Sequence, residues 1–110
     1  METVEGPVQR QLDAYNARDL ERFLVEYADD VAVYRPPAVE PTIVGKEALG
    51  AHYARNRFNQ PALHARLLNR IVSGDIVVDQ EEVSGVPGGV IAAVPVYKVK
   101  NGRIQTVWFF

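Results

Sequence analysis

A polar run at residues 79–82 contains side chains suited to acid–base chemistry. It lies within residues 76–84, a stretch of β-branched and polar residues that predicts a strand. Because side chains alternate between the two faces of a strand, Gln80 and Glu82 share one face and Glu81 points to the other. A carboxyl group on a buried face has a raised pKa and can accept a proton. One alternative is that the whole run is solvated, and another is a register slip of one residue, which turns Glu82 outward and Glu81 inward.

Histidine offers a second candidate for acid–base chemistry. His52 lies on the inner stripe of a predicted helix, where a hydrogen-bonded core histidine is favoured over a proton shuttle. His52 and His64 lack the spacing of metal ligands and the chain has no cysteine, so we predict no metal. The glycines at 85, 88 and 89 flank a proline in a predicted turn rather than forming a phosphate loop, and we predict no cofactor.

Length and composition restrict the class of protein. The chain has 110 residues, 47% of them hydrophobic, which predicts one globular domain over residues 1–110. Its net charge of −2 gives no basis for binding nucleic acid or an anionic membrane. Residues 1–12 lack the apolar core of a signal peptide, and no apolar run is long enough to span a membrane. We therefore expect a cytoplasmic protein.

Three helices are predicted from apolar residues at helical spacing. The first runs from Val4 to about Asn16. The second follows Asp19, whose carboxylate suits the N-cap position, and it includes Tyr27. The third runs from Lys46 to about Phe58.

The remaining segments alternate as strands do. A strand at 31–34 and a short extended piece at 42–44 precede the third helix. Four long strands follow it, at 63–72, 76–84, 90–100 and 104–110, with turn residues between them. The order α-α-β-α-β-β-β-β predicts an α+β fold in which three helices cover one face of a largely antiparallel sheet.

The last two strands have apolar residues at both odd and even positions, which indicates that both of their faces are buried. Three short helices cover only one face of a sheet. We therefore predict a homodimer that packs through the outer sheet face at Val94, Val96 and Trp108. The alternative is that the core wraps around the edge of the sheet.

Three motifs carry a resemblance to a known superfamily: residues 14–20 (AYNARDL), 27–31 (YADDV) and 45–49 (GKEAL). Together with the closing segment 96–104 they resemble the nuclear-transport-factor-2-like proteins, and within them the ketosteroid-isomerase-like and polyketide-cyclase-like (SnoaL-like) group. The resemblance covers nearly the whole chain. It implies a cone-shaped sheet that encloses a ligand pocket, on a scaffold that hosts enzymes, binding proteins and transport adaptors.

The resemblance also identifies the catalytic positions of the ketosteroid isomerases, and this chain differs at all three. The position of the aspartate base holds Arg35, and that of the oxyanion tyrosine holds Gln11. The protonated aspartic acid matches Pro95, or Val96 if the alignment shifts by one residue. Arginine is no base at neutral pH and proline has no side-chain donor. We expect no steroid isomerisation by that mechanism.

Other positions of the resemblance keep a polar side chain. Tyr27 and Tyr53 match pocket-side tyrosines and are expected to orient a polar ligand atom, with core tyrosines as the alternative. The resemblance also places the face with Gln80 and Glu82 toward the pocket. Arg35 is expected to bind a ligand carboxylate or enolate, or else to form a salt bridge with Glu82 or Glu40.

Two principal functions follow. The first is a small-molecule binding protein with Gln11, Tyr27, Arg35, Tyr53, Gln80 and Glu82 around an apolar pocket. The second is an enzyme of the isomerase, cyclase or hydrolase type, with Glu82 or His52 as the relocated acid–base residue. A protein-interaction adaptor is a third hypothesis that rests on the fold alone.

Overall fold

The computed structural model describes residues 3–110, which form three helices and one sheet. The helices are α1 (Glu5–Asn16), α2 (Leu20–Val25) and α3 (Lys46–Asn56). None of the helices among these residues is long and apolar enough to cross a membrane. The seven strands are β1 (Tyr27–Tyr34), β2 (Ile43–Val44), β3 (His64–Ser73), β4 (Ile76–Ser84), β5 (Ile91–Ala93), β6 (Pro95–Lys100) and β7 (Arg103–Phe109).

The strands lie in the order β2-β1-β7-β6-β4-β3, and β5 pairs with the far end of β4. Only β1 and β7 run parallel; the other neighbours are antiparallel. Register shifts interrupt the β1–β7, β3–β4 and β6–β7 ladders, and irregularities of this kind bend a sheet. The predicted α+β cone is confirmed, with the helices packed on one face around a shared apolar core.

Two details differ from the sequence-based prediction. Tyr27 begins β1 rather than ending the second helix, because the backbone amide of Ile104 binds the Glu26 carbonyl at 2.8 Å and draws the chain into the sheet. The predicted strand 90–100 is divided into β5 and β6. Val94, between them, exchanges both backbone hydrogen bonds with Phe110, and the next residue is Pro95, which has no amide hydrogen to donate.

The helix boundaries follow local chemistry. Asp19 is the N-cap of α2, as predicted, and its carboxylate accepts from the Arg22 amide at 3.2 Å. At the end of α1 the Asn16 side chain binds both backbone groups of Ala65 on β3, donating at 2.9 Å and accepting at 2.7 Å. These bonds fix α1 against the sheet.

A buried ion pair fastens the same helix to the other end of β3. Arg70 on β3 and Asp79 on β4 are cross-strand partners, and the guanidinium binds the fully buried carboxylate at 2.7 and 3.0 Å. Arg70 also donates to Gln9 of α1 at 2.8 Å. One side chain therefore links two strands and a helix, and it neutralises the buried Asp79.

Arg70→Met should destabilise the fold by about 3–5 kcal/mol, because Asp79 would stay buried without its counter-charge. Urea denaturation measures this free energy of unfolding. The matched control is Arg66→Met, on the same strand but exposed and 3.6 Å from Glu82, which should lose less than about 1 kcal/mol. Adding Asp79→Leu to Arg70→Met should restore much of the loss. Equal losses in the two single variants would contradict this account of Arg70.

Candidate functional site

A cavity of about 150 Å³ lies between the helices and the inner face of the sheet. Its apolar wall comes from both the helices and the sheet, while its polar groups come mainly from α1, β1, α3, β4 and β6. The polar side chains are Gln11, Tyr15, Tyr27, Tyr53, Glu81 and Tyr97, with Arg35, His52 and Arg57 also contributing. The main apolar contacts are Leu12, Phe23, Ala65, Val83 and Phe109.

Among residues 3–110, Glu81 is the one carboxylate that lines this cavity. It lies on β4, is 7% exposed, and its Oε2 is buried without a hydrogen-bond partner. Burial raises the pKa of Glu81 to about 7, and the nearby charge of Asp79 adds to the shift while Arg70 opposes it. Near neutral pH this carboxyl group can therefore accept or donate a proton.

The predicted orientation of Gln80 and Glu82 is corrected by the structure. Gln80 is exposed, and Glu82 lies on the outer face of the sheet, 3.6 Å from Arg66. The alternation predicted for this strand is present, but its parity is the reverse, since Val77 and Val83 are the buried apolar residues. The register alternative that turns Glu81 inward is the one the protein adopts. In the sequence, apolar Val83 beside polar Ser84 indicates that Val83 faces inward, and Glu81 shares its face.

Gln11 is the centre of a buried hydrogen-bond chain. Its Oε1 accepts from the Tyr27 hydroxyl at 3.0 Å, and its Nε2 donates to the Tyr97 hydroxyl at 3.2 Å and to the Val8 carbonyl at 3.0 Å. Burial raises the pKa of both Tyr27 and Tyr97 well above the ordinary value, so both phenols stay protonated. Gln11 thus holds two neutral hydroxyl groups at the cavity wall.

Two further tyrosines complete the wall. Tyr53 of α3 packs against Phe23 with ring centroids 4.9 Å apart, and Tyr15 of α1 packs against Phe58 at 5.5 Å. Burial raises the pKa of Tyr15 to about 12 and that of Tyr53 still further, so both phenols stay protonated. The structure therefore brings the predicted Tyr27 and Tyr53 together with two tyrosines, Tyr15 and Tyr97, that sequence reasoning did not select.

Basic side chains surround the mouth of the cavity. The Arg35 guanidinium lies 4.8 Å from the centroid of the Phe109 ring, in cation–π contact. Among residues 3–110 Arg35 forms no salt bridge, neither with Glu82 nor with Glu40. His52 is half-buried, and burial followed by the charges of nearby arginines lowers its pKa. A neutral His52 fits a hydrogen-bonding role rather than a cationic one.

The three positions matched to the isomerase mechanism carry no replacement acid. Gln11 occupies the cavity wall, Arg35 its mouth, and Pro95 is buried on the inner face, whereas Val96 faces outward. Among residues 3–110 no three histidine, cysteine or acidic side chains come together as metal ligands would. The chemistry available in the described cavity is that of one carboxyl group, four phenols and an amide, with two guanidinium groups and an imidazole at its mouth.

Known protein families and solved structures are similar to this chain. The family model of the SnoaL-like domain matches residues 8–107. A comparison with curated sequences found no match. Among solved structures, an uncharacterised cystatin-fold protein from Novosphingobium aromaticivorans superposes with a TM-score of 0.88 at 20% identity, covering 100% of this chain and 99% of that one.

Two further structures have assigned names. The Δ5-3-ketosteroid isomerase from Mycobacterium sp. has a TM-score of 0.82 at 22% identity, with 97% of this chain and 91% of that chain covered. A putative polyketide cyclase from Sinorhizobium meliloti has a TM-score of 0.78 at 23% identity, with 94% and 93% covered. At these identities the similarity establishes the fold.

Glu81→Gln should remove a pH dependence of stability. The folded state holds the Glu81 proton up to about pH 7, whereas the unfolded chain releases it near 4.5. The wild type should therefore lose about 3 kcal/mol relative to Glu81→Gln as the pH rises through that window. Denaturation from about pH 4 to about pH 8 measures the difference. Glu82→Gln, on the outer face of the same strand, should keep the wild-type dependence of stability on pH. If Glu81→Gln keeps that dependence as well, the raised pKa does not belong to Glu81.

Proposed function

Because the chain belongs to the family of SnoaL-like domains, we propose that it binds a small molecule inside the cone, and that the ligand donates a hydrogen bond to Glu81. The observation that carries this proposal is the buried Glu81 Oε2 without a partner. A buried acceptor left unsatisfied is unfavourable by about 1–3 kcal/mol, and more when charged. A ligand O–H or N–H group would recover that energy.

The volume and lining of the cavity support a small ligand. Drug-sized molecules occupy pockets of roughly 300–1,000 Å³, whereas a dry apolar cavity of about 150 Å³ accommodates a benzene-sized ring. The inner cavity is of that smaller size, and aromatic rings form much of its wall. We therefore propose a single ring, or a branched group of similar volume, as the part of the ligand that enters.

Steroid isomerisation is not the function we propose. The isomerase from Mycobacterium sp. shares the fold, but the positions matched to that mechanism hold Gln11, Arg35 and Pro95 in this chain. Family membership thus supports the pocket and leaves its chemistry to the residues of this chain.

One observation favours a second function, proton transfer to or from the bound ligand. A catalytic base works best when its pKa lies near the working pH, and the pKa of Glu81 is about 7. The Tyr97 hydroxyl on the same wall is a neutral donor that could bind a carbonyl oxygen of the substrate. Glu81 would take the proton from the carbon beside that carbonyl and return one from its carboxylic acid.

The outer face of the sheet supports the proposal of a homodimer. A registered apolar row crosses five strands there, consisting of Tyr34, Trp108, Val96, Val78 and Ile71. The rings of Tyr34 and Trp108 are stacked, with centroids 6.2 Å apart. We propose that a second copy covers this row, with Val94 beside it. The adaptor role and the cytoplasmic location stay predictions.

Phenol and toluene form a matched pair of probes for Glu81, since they have similar size and only phenol donates a hydrogen bond. Above about pH 8 the wild type should bind phenol at least tenfold more tightly than toluene, because a hydrogen bond to a charged group contributes about 1.5–3 kcal/mol. Glu81→Gln should lose most of that preference, and Glu82→Gln should keep it. Chemical-shift titration of the backbone amides measures both affinities.

Equal binding of the two probes to the wild type would remove Glu81 from the proposed ligand contact. The same samples test proton transfer when cyclohexanone is added in heavy water. Exchange of its α-hydrogens that is faster than in buffer, lost in Glu81→Gln and kept in Glu82→Gln would support the enzyme function. Binding without exchange would support the binding protein.

Trp108→Arg should dissociate the dimer, because an arginine in a dry interface has no counter-charge. Sedimentation equilibrium at micromolar concentration should give two copies for the wild type and one for the variant. Ala51→Arg, which adds the same charge at an exposed site on α3, should remain dimeric. A monomeric wild type would reject the proposal.

A further inference from the structure

An open cleft of about 420 Å³ adjoins the inner cavity. The two share the side chains of Arg35, His52, Arg57 and Ile91, so the cleft is the entrance to the cavity. Its remaining lining comes from the end of α3, from the segment that follows it, and from the turn between β4 and β5. Any ligand that reaches Glu81 by this route passes three arginines, since Arg55 also lines the cleft.

The part of the chain that the structure describes gives the cleft a cationic lining with no acidic residue. Within residues 3–110, Arg35, Arg55 and Arg57 form no salt bridge. Arg57 donates one N–H to the Asn56 carbonyl at 3.0 Å, and a guanidinium has five N–H donors in all. The cleft therefore offers several guanidinium donors without a protein counter-ion.

The positive charge of the cleft also acts on the pKa of His52. After burial, the charges of Arg35, Arg57 and Arg55 are the causes that lower the pKa of this imidazole. The carbonyl end of α3 attracts Arg55 and Arg57, but that attraction falls off within the last turn and does not extend to Arg35, at the end of β1. Helix capping thus accounts for part of the cluster only.

We propose that this cleft binds the anionic group, a carboxylate or a phosphate, of a ligand whose ring occupies the inner cavity. The inference rests on the proposed function and defines the ligand class further: an amphipathic acid. Guanidinium groups suit this task because their planar donors match carboxylate and phosphate oxygens in pairs.

The two ends of the site then fix the direction in which the ligand binds. The inner end holds the buried Glu81 carboxyl, which repels an anion and accepts a hydrogen bond. The outer end holds the arginines, which attract an anion. A ligand with its acid at the entrance satisfies both ends, and the reverse orientation satisfies neither.

Inorganic phosphate tests the cleft without a ring. We expect saturable shifts in the side-chain Nε–H signals of Arg35, Arg55 and Arg57 during a titration, reduced at high salt because the cleft is open. Arg103, in the β6–β7 hairpin at the opposite end of β7 from Phe109, should shift little. Equal shifts at Arg103 and in the cleft would show nonspecific binding and overturn the proposal.

The pair 3-phenylpropionate and 3-phenylpropanamide tests the ligand class, since the two differ mainly in charge. The acid should bind about tenfold more tightly than the amide. Arg55→Gln combined with Arg57→Gln should abolish that difference, whereas Arg103→Gln should preserve it. Because Arg57 lies near Tyr15, the single variant Arg55→Gln and the charge-preserving Arg57→Lys serve as folding controls.

These outcomes separate the two proposals. Selectivity for phenol without selectivity for the acid would retain Glu81 as the inner contact and reject the anion cleft. Phosphate shifts and acid selectivity without phenol selectivity would retain the cleft and reject the Glu81 contact. Failure of the acid to bind more tightly than the amide overturns the cleft in either case.

Discussion

Two carboxyl groups of β4 face inward, and Arg70 forms an ion pair with only one of them, Asp79. Asp79 and Glu81 are two residues apart, so the pleat of the strand turns both toward the core. Arg70 forms a two-point ion pair with Asp79 and also binds Gln9. Three of its five N–H donors are thereby used in the ion pair and in the bond to α1, and Glu81 Oε2 has no partner among residues 3–110.

The unequal partnership gives the two carboxyl groups different roles. The Arg70–Asp79 pair connects β3, β4 and α1, which makes it structural. Glu81 carries the penalty of burial, and the charge of Asp79 increases it, so its pKa rises to about 7. A protein interior seldom retains such a group without use, since replacing it by an apolar residue would remove the penalty. The cavity in front of Glu81 is where that penalty can be recovered by a ligand.

Sequence reasoning located the elements of this fold well because their signals are local. The cap at Asp19 and the whole of β4 were predicted at their observed positions. It failed on Gln80 and Glu82 because parity depends on which face packs on the helices, a tertiary property. Residues 76–78 are apolar on both faces, so only Val83 distinguished the two registers. Arg57 was not predicted as a site residue, because only the tertiary fold brings the end of α3 beside Arg35.

The hydrogen-bond chain through Gln11 has a direction, and that direction determines which hydrogen-bond donor remains at the cavity wall. The Gln11 carbonyl accepts from Tyr27, and its amide group donates to Val8 and to Tyr97. The amide thus has both N–H groups in use, and the Tyr97 oxygen is engaged as an acceptor. The Tyr97 hydroxyl hydrogen is the donor that remains at the end of the chain, and its raised pKa keeps that hydrogen in place. Glu81 lines the same cavity, and after burial its charge is the largest cause that raises the pKa of Tyr97. The cavity wall thus offers a donor, the Tyr97 hydroxyl, and an acceptor, the Glu81 carboxyl group, both of them on strands of the sheet.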